Sequence, residues 1–295
     1  MKHHPLVSIC IPTYNGAQFL QESLESIKKQ SYRPIELVVS DDESCDDTLL
    51  IISRFRESVD FPVYIHHHEP RGIGANWNNC VKHSNGEYVK FVFQDDLIHD
   101  ECVEKMVKAL ESSDRLGLIS CKRNFIVDKN SNMKFIEKWL STYENLQVEY
   151  ENDHGNHILF TKALFKSNKF NQSPINNKIG EPSLVMFRRS VYEQLGTFRT
   201  DLKQALDYEY WYRILKRYDI LVLNETLATF RLHLNQATNV NRESGTNDRE
   251  LYQNLLYNEY YMLLNSAHKK RLRERFHPFF IFKKKIQKKI ISLFK

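Results

Sequence analysis

Apolar, β-favouring runs alternate with amphipathic helical stretches along the first 121 residues, and this alternation narrows the choice of fold more than any other feature. Residues 6–11 (LVSICI), 35–39 (IELVV), 62–65, 88–93 (YVKFVF) and 116–121 read as strands. Between them, 18–30, 49–55, 74–83 and 101–110 carry apolar residues at helical spacing. Strands returning roughly every 25 residues with a helix in each gap mean βαβ units and a largely parallel sheet. The strand at 88–93 runs into two adjacent carboxylates, Asp95 and Asp96. Such a pair repels itself unless a cation or a set of donors sits there. In an open α/β sheet the crevice outside the strands' carboxyl ends is where ligands bind. A solvated loop or a helix cap is the plainer use of two aspartates.

Beyond Cys121 the alternation breaks. Asn124–Trp139, with Asn130-Ser131-Asn132 at its middle, reads as a hairpin. Residues 140–180 read as irregular, with one short helix near 158–165. A strand at 183–187, a short helix closed by Gly196, a helix over 205–217 and two β segments at 220–223 and 228–233 follow, and the chain is helical from Asp248.

A chain of 295 residues, 41% hydrophobic and 27% charged, has ample material for a large core. Its five cysteines, Cys10, Cys45, Cys80, Cys102 and Cys121, show no CxxC pair and suit reduced thiols in a cytosolic protein. The opening MKHHPLVSICIPTYN is too short in apolar residues for a secretory signal, and no stretch reaches the length of a spanning helix. Net charge is +5, yet residues 269–295 hold eleven bases and one acid, which leaves 31 bases and 36 acids on the rest. In the basic tail, Phe282, Ile286, Ile290 and Leu293/Phe294 share one helical face and lysines the other. That pattern suits a helix lying in a membrane interface. Nucleic acid is the rival partner for such charge and is not expected here.

Three polar clusters close predicted strands: Pro12-Thr13-Tyr14-Asn15, Asp41-Asp42 and Asp95-Asp96. One crevice can gather them. A carboxylate there can accept a nucleobase N–H, and an aromatic ring can stack on the base. Gly72-Ile73-Gly74 is no dinucleotide fingerprint, because its third glycine is missing and it does not follow the first strand. The run His66-His67-His68 has no metal-ligand spacing on a helix and is expected to fill the end of strand three and its loop.

VSICIPTYNGAQFLQESLESIKKQSYRPIELVVSDDESCDDT and YVKFVFQDD together resemble glycosyltransferase family 2, inverting nucleotide-sugar transferases of GT-A fold. The likeness runs over about residues 5–235. It implies a Rossmann-like mixed, mainly parallel sheet flanked by helices, with a helical C-terminal extension. The implied domains are a GT-A domain at 1–240 (nucleotide-sugar half about 1–122, acceptor half about 123–240) and an extension at 241–295. By the same resemblance, Asp42 with Pro12, Thr13 and Tyr14 surrounds the donor base. Asp95 faces the donor sugar or ribose, and Asp96 holds Mg²⁺ or Mn²⁺ on the diphosphate. Position 94 is Gln, so the motif is QDD without the usual outer acid. Where many members carry Arg-Asn beside the diphosphate, this chain has Trp77-Asn78, and only Asn78 carries over. Asp207, near the start of ALDYEYWYRILKRY, matches the general base that takes the acceptor proton, with Glu209 as fallback; a plain helix-start acid is the other use of that position. Arg231-x-His233 resembles a late element whose histidine completes the metal shell in some members.

The expectation is a metal-assisted hexosyl transferase. It uses a UDP- or dTDP-sugar donor and a saccharide or lipid-linked saccharide acceptor in surface polysaccharide (O-antigen or capsule) assembly. It works in the cytoplasm, peripherally at the inner face of the membrane. A nucleotidyltransferase lacks support, since PTYNGAQF is no glycine- and lysine-rich phosphate loop. A non-catalytic glycan-binding or scaffold protein of the same fold is the alternative from another class.

Overall fold

The computed structural model describes residues 4–128, 131–151, 155, 157–234, 236 and 248–293. Its first half follows the predicted alternation: β1 (Val7–Thr13), α1 (Ala17–Lys28), β2 (Ile35–Asp41), α2 (Thr48–Glu57), β3 (Val63–His67), α3 (Ile73–Lys82) and β4 (Tyr88–Phe91). After β4 come β5 (Leu97–Ile98), α4 (Cys102–Glu111) and β6 (Leu116–Val127). The sheet order is β3-β2-β1-β4-β8-β6-β9-β5, where β8 is Val185–Arg188 and β9 is Asp219–Leu232. Strands β3, β2, β1 and β4 are mutually parallel, whereas β8 runs antiparallel between β4 and β6. This is the mixed, helix-flanked α/β sheet expected. Every residue of β2 is buried, as a parallel strand covered on both faces requires. Helices α1 and α4 lay Leu20, Leu24 and Ile27, and Val103, Met106, Val107 and Leu110, on a single core with β1 and β2.

The second half departs from the sequence pattern at three places. No hairpin occupies Asn124–Trp139 among the described residues; β6 continues to Val127, and α5 (Met133–Tyr143) follows. The long strand is stabilised by β9, which pairs with it from Lys122 to Val127, and α5 buries Ile136 while Trp139 stacks on Phe230 of β9. The short helix expected near 158–165 is instead β7 (His157–Phe160), an antiparallel partner of β9, followed by a 3₁₀ turn at Lys162–Lys166. The two late β segments are one strand, β9. Its exposed Asn224, Glu225 and Thr226 resemble a loop in sequence but sit where the pairing with β6 shifts register.

The chain divides into two compact units, Met1–Thr161 with Asn177–Thr246, and Lys162–Asn176 with Asn247–Lys295. Besides the sheet, the first unit holds α7 (Arg189–Leu195), closed as expected by Gly196 at φ 83°, and α8 (Leu206–Leu215). The second contains α6 (Asn168–Gln172), α9 (Arg249–Leu255), α10 (Ser266–Phe276) and α11 (Pro278–Leu293), around Phe165, Phe170, Tyr252, Leu256, Tyr260 and Leu272.

Trp211 of α8 is fully buried against Phe187 and Phe198, and its indole N–H donates to the Gly180 carbonyl at 3.0 Å. Trp211→Ala is expected to destabilise the fold by about 3–5 kcal/mol, read from urea unfolding, because it opens a cavity and orphans that carbonyl.

Candidate active site

Strand order reverses between β1 and β4, so the crevice of the first unit opens beyond the ends of β1, β2 and β4. All three acidic or polar clusters stand there. The loops after β1 and β2 are interlocked. Asn15, at φ 46°, accepts from the Cys45 amide at 2.9 Å and donates its own amide to Ser44 at 2.9 Å. The Gly16 amide reaches Thr48 at 2.8 Å and the Ala17 amide Asp46 at 3.0 Å. Asparagine tolerates the left-handed conformation this turn needs.

Gln94, the departure from the usual acid, closes the same loop from the other side. Its Oε1 accepts from the Tyr14 amide at 3.0 Å and its Nε2 donates to the Tyr14 carbonyl at 3.1 Å. A Cβ on Gly16 would lie 2.3 Å from Gln94 Oε1, so a side chain there would displace Gln94 from the clamp. Tyr14 itself is 58% exposed, and Thr13 Oγ1 donates to buried Asp41 at 2.7 Å. Asp41 also accepts the Ser44 amide and hydroxyl, so it serves the turn. Asp42 faces His68 instead, with Nδ1 2.5 Å from its Oδ1. Burial raises the Asp42 pKa, and the His68 contact only partly offsets it. His66 and His67 end β3 as expected, but His68 joins the site, which its neighbours in the run concealed.

Asp95 and Asp96 occupy the tight turn between β4 and β5. Asp95 Oδ2 lies 2.9 Å from His233 Nε2. Asp96 is buried, and its Oδ1 accepts the backbone N–H of Arg231 at 3.1 Å. Among the described residues its Oδ2 completes no hydrogen bond. Burial, reinforced by the Asp95 charge, pushes the Asp96 pKa well above the ordinary carboxylate range; the Arg231 amide, and a Ser183 hydroxyl that stands nearby without completing a bond, ease it only in part. Arg231 binds outward, to the Asp95 carbonyl at 3.0 Å and Glu22 at 2.8 Å, over the Phe19 ring.

A further acid, Glu181, carries no distinctive sequence spacing. Glu181 follows Gly180, whose φ is 150° and whose added Cβ would meet Ser120 Oγ at 2.6 Å. Glu181 Oε1 pairs with buried Arg123 at 3.1 Å, and its Oε2 has no partner among the described residues. Its charge acts on both Asp96 and Asp207. The signal present in the sequence was a glycine–acid–proline step just before a strand.

Asp207 lies in the first turn of α8. Its Oδ2 accepts from Asn177 at 2.9 Å, and the Asn177 side chain also holds Ile179, Gly180 and hence the approach to Glu181. Asp207 Oδ1 is shut off from solvent and unpartnered among the described residues, although the residue as a whole is half-buried. Burial, with Glu181 adding to it, raises its pKa to about 7. Glu209, the fallback acid, is buried with both its oxygens paired to Arg213 at 3.2 and 2.7 Å.

Asn78 stands apart from the crevice polar groups. Its amide accepts from Tyr192 and the Phe198 amide and donates to the Phe198 carbonyl, at 3.0, 2.8 and 2.9 Å. Trp77 packs in the core against Phe91, Phe93 and Phe198.

Among the described residues no three His, Cys, Asp or Glu side chains are arranged to hold a metal by themselves. The unpartnered Asp96 oxygen nonetheless suits one hard divalent cation that takes its remaining ligands from phosphate or water.

The sequence model of glycosyl transferase family 2 matches residues 8–196, well over half the chain. The chain belongs to that family, and it is a glycosyltransferase. It is 28% identical over 228 residues to an uncharacterised Mycobacterium tuberculosis protein, covering 77% of this chain and 67% of that one. It is 25% identical over 183 residues to the Campylobacter jejuni GalNAc(5)-diNAcBac-PP-undecaprenol beta-1,3-glucosyltransferase, covering 59% and 57%. The fold is shared with S. aureus TarS in complex with UDP-GlcNAc (TM-score 0.64, 20% identity, 92% of this chain and 71% of that one). It is also shared with a Pyrobaculum calidifontis mannosyltransferase in complex with GDP-Man and Mn²⁺ (TM-score 0.60, 20% identity, 92% and 74%).

Folding raises the Asp96 pKa, so its ionised form costs stability above the unfolded carboxylate pKa, and that cost fades as pH falls towards the unfolded value. Asp96→Asn is therefore expected to raise Tm by a few degrees at about pH 7.5 in EDTA, with the gain shrinking towards about pH 4. Thermal unfolding across that range checks it, and a lowered Tm at pH 7.5 contradicts it.

Proposed function

We propose that this protein transfers a sugar, with inversion, from a UDP- or dTDP-sugar to a hydroxyl of a saccharide or lipid-linked saccharide in surface polysaccharide synthesis. The observation that carries the reading is the set of buried carboxylate oxygens without partners on Asp96, Glu181 and Asp207. Unsatisfied buried acids are costly, and a sugar substrate with its diphosphate supplies the donors and cation they lack. The lipid-linked saccharide in the Campylobacter relative's name and the UDP-GlcNAc held by the fold relative agree with this substrate class.

On this reading Tyr14 stacks on the donor base, and Asp42, oriented by His68, accepts the imide N–H. Pro12 and Thr13 form the loop floor, with Thr13 fastened to Asp41. Asp95 faces the ribose or sugar, and we assign His233 to holding Asp95 through their 2.9 Å contact. Asn78 acts through the position of α3, its polar atoms being spent on the loop around Phe198. Asp96 holds Mg²⁺ or Mn²⁺, which when bound neutralises the diphosphate. Asp207 takes the acceptor proton as the acceptor oxygen attacks the anomeric carbon, and the nucleoside diphosphate departs with the electron pair of the broken bond. A base with pKa near 7 combines adequate basicity with substantial ionisation at neutral pH.

Calorimetry with UDP-, dTDP- and GDP-sugars is expected to show metal-dependent binding of one donor, lost in Asp96→Ala. Asp207→Asn should keep donor binding and lose kcat by ~10²–10⁴-fold. The base works ionised, so wild-type kcat should rise with pH through about 7 and then level. Failure of every donor to bind the folded protein would overturn the donor and metal assignments.

The tail belongs to the same proposal. No helix among the described residues is long and apolar enough to cross a membrane. Helix α11 exposes Phe279, Phe282 and Ile286, and its sequence carries five lysines. Apolar insertion plus attraction to anionic headgroups suits the cytoplasmic leaflet. The protein should pellet with phosphatidylglycerol vesicles and not with phosphatidylcholine, release in high salt, and lose binding in Phe279→Ser/Phe282→Ser. Equal recovery in all supernatants would remove membrane contact from the proposal.

A further inference from the structure

The second unit has a pocket of about 460 Å³ of its own, a volume usual for small-molecule sites. Arg249 and Gln253 of α9, His268, Arg271 and Arg275 of α10, and Asn171 of α6 line it, and none of its lining residues is acidic. His268, Arg271 and Arg275 fall at i, i+3 and i+7, so one face of α10 carries all three into the same concavity. Like charges at Arg271 and Arg275 repel at that spacing. Relief is slight: Glu250 stands 3.8 Å from Arg275, in a pair open to solvent, and among the described residues Arg271 makes no ion pair.

The floor is polar, buried and unsatisfied. His268 is 6% exposed, and neither ring nitrogen completes a hydrogen bond among the described residues. Burial lowers the His268 pKa, and the Asn171 carbonyl, near the ring without completing a bond, offsets this in part. The neutral ring offers one donor and one acceptor. Asn171 is 4% exposed; its Nδ2 is spent on the Phe165 and Ser167 carbonyls, both at 2.7 Å, while its Oδ1 has no partner. A bare anion would satisfy the guanidinium rim but not the acceptors at the floor, which call for hydroxyl donors.

We infer that this pocket binds a phosphorylated saccharide, with the phosphate on Arg249, Arg271 and Arg275 and sugar hydroxyls on His268 and Asn171. Guanidinium forks match phosphate oxygens in pairs. The pocket exceeds what phosphate alone would fill, and it leaves room for the ring. The ligand is a second phosphosugar, distinct from the nucleotide donor, either free or as a unit of a glycan. The inference does not rest on the donor assignment at the strand ends.

Calorimetry on the full chain in EDTA, with glucose 6-phosphate, its methyl glycoside, glucose and inorganic phosphate, tests it. The sugar phosphate should bind more tightly than inorganic phosphate, and glucose should not bind. Arg271→Gln/Arg275→Gln, both on the exposed rim, should weaken binding roughly tenfold or more. Equal binding of the methyl glycoside would identify a glycan-linked unit as admissible; binding of the free sugar phosphate alone would identify a metabolite. No binding by the folded protein overturns the inference. So does binding that survives the double substitution and disappears in Asp96→Ala, which would put the ligand at the strand ends instead.

Discussion

One backbone hydrogen bond organises the carboxyl end of the sheet: the amide of Arg231 donating to Asp96 Oδ1. It fastens the end of β9 to the turn after β4, across 135 residues of chain. The Arg231 side chain extends the same tie to the Asp95 carbonyl and to Glu22 on α1, covering the Phe19 ring. A carboxylate buried beside another is expelled or protonated unless fixed donors hold it. By spending an amide rather than the guanidinium on Asp96, the fold holds the side chain in place without neutralising it. One oxygen stays available.

The same economy recurs at the two other acids. Arg123 satisfies one oxygen of Glu181, Asn177 one oxygen of Asp207, and in each case the second is left bare among the described residues. Half-satisfied buried acids lower stability, and they persist where a ligand completes them. Gly180 lets the backbone pass close to Ser120 and so brings Glu181 into the charge field of both aspartates. Preorganisation of this kind needs rigid supports, and Trp211, which grips Gly180 from α8, supplies one.

The departures from the family pattern acquire physical accounts in the same way. Gln94 stands where an acid is usual, and its amide clamps the Tyr14 backbone by donor and acceptor together, which a carboxylate cannot do. Trp77 stands where an arginine is usual and is buried among phenylalanines, so α3 is held by packing and by Asn78 on the Phe198 loop.

The βαβ half was legible from sequence because its signals are local. Period and composition set β1 to β4 and their helices, and the acids at the strand ends follow from where each apolar run stops. Asp42, Asp95 and Asp96 were therefore visible as candidates, whereas Asp207, at a helix start in the second half, stood out only through the family resemblance. The second half was not, because long-range pairing outweighs local propensity there. Polar residues within β9 mimic a loop until β6 lies alongside, and the stretch at Met133–Tyr143 becomes a helix with Trp139 stacked on Phe230. Glu181, Asn177, Arg123 and His68 likewise have no distinctive spacing; their roles come from contacts across 30, 58 and 26 residues. Sequence alone determined the class of fold and which strand ends are acidic, since both depend on neighbours along the chain. Tertiary structure alone decided which oxygens are paired and which are left for a ligand, because burial and hydrogen bonding depend on what the rest of the chain brings alongside.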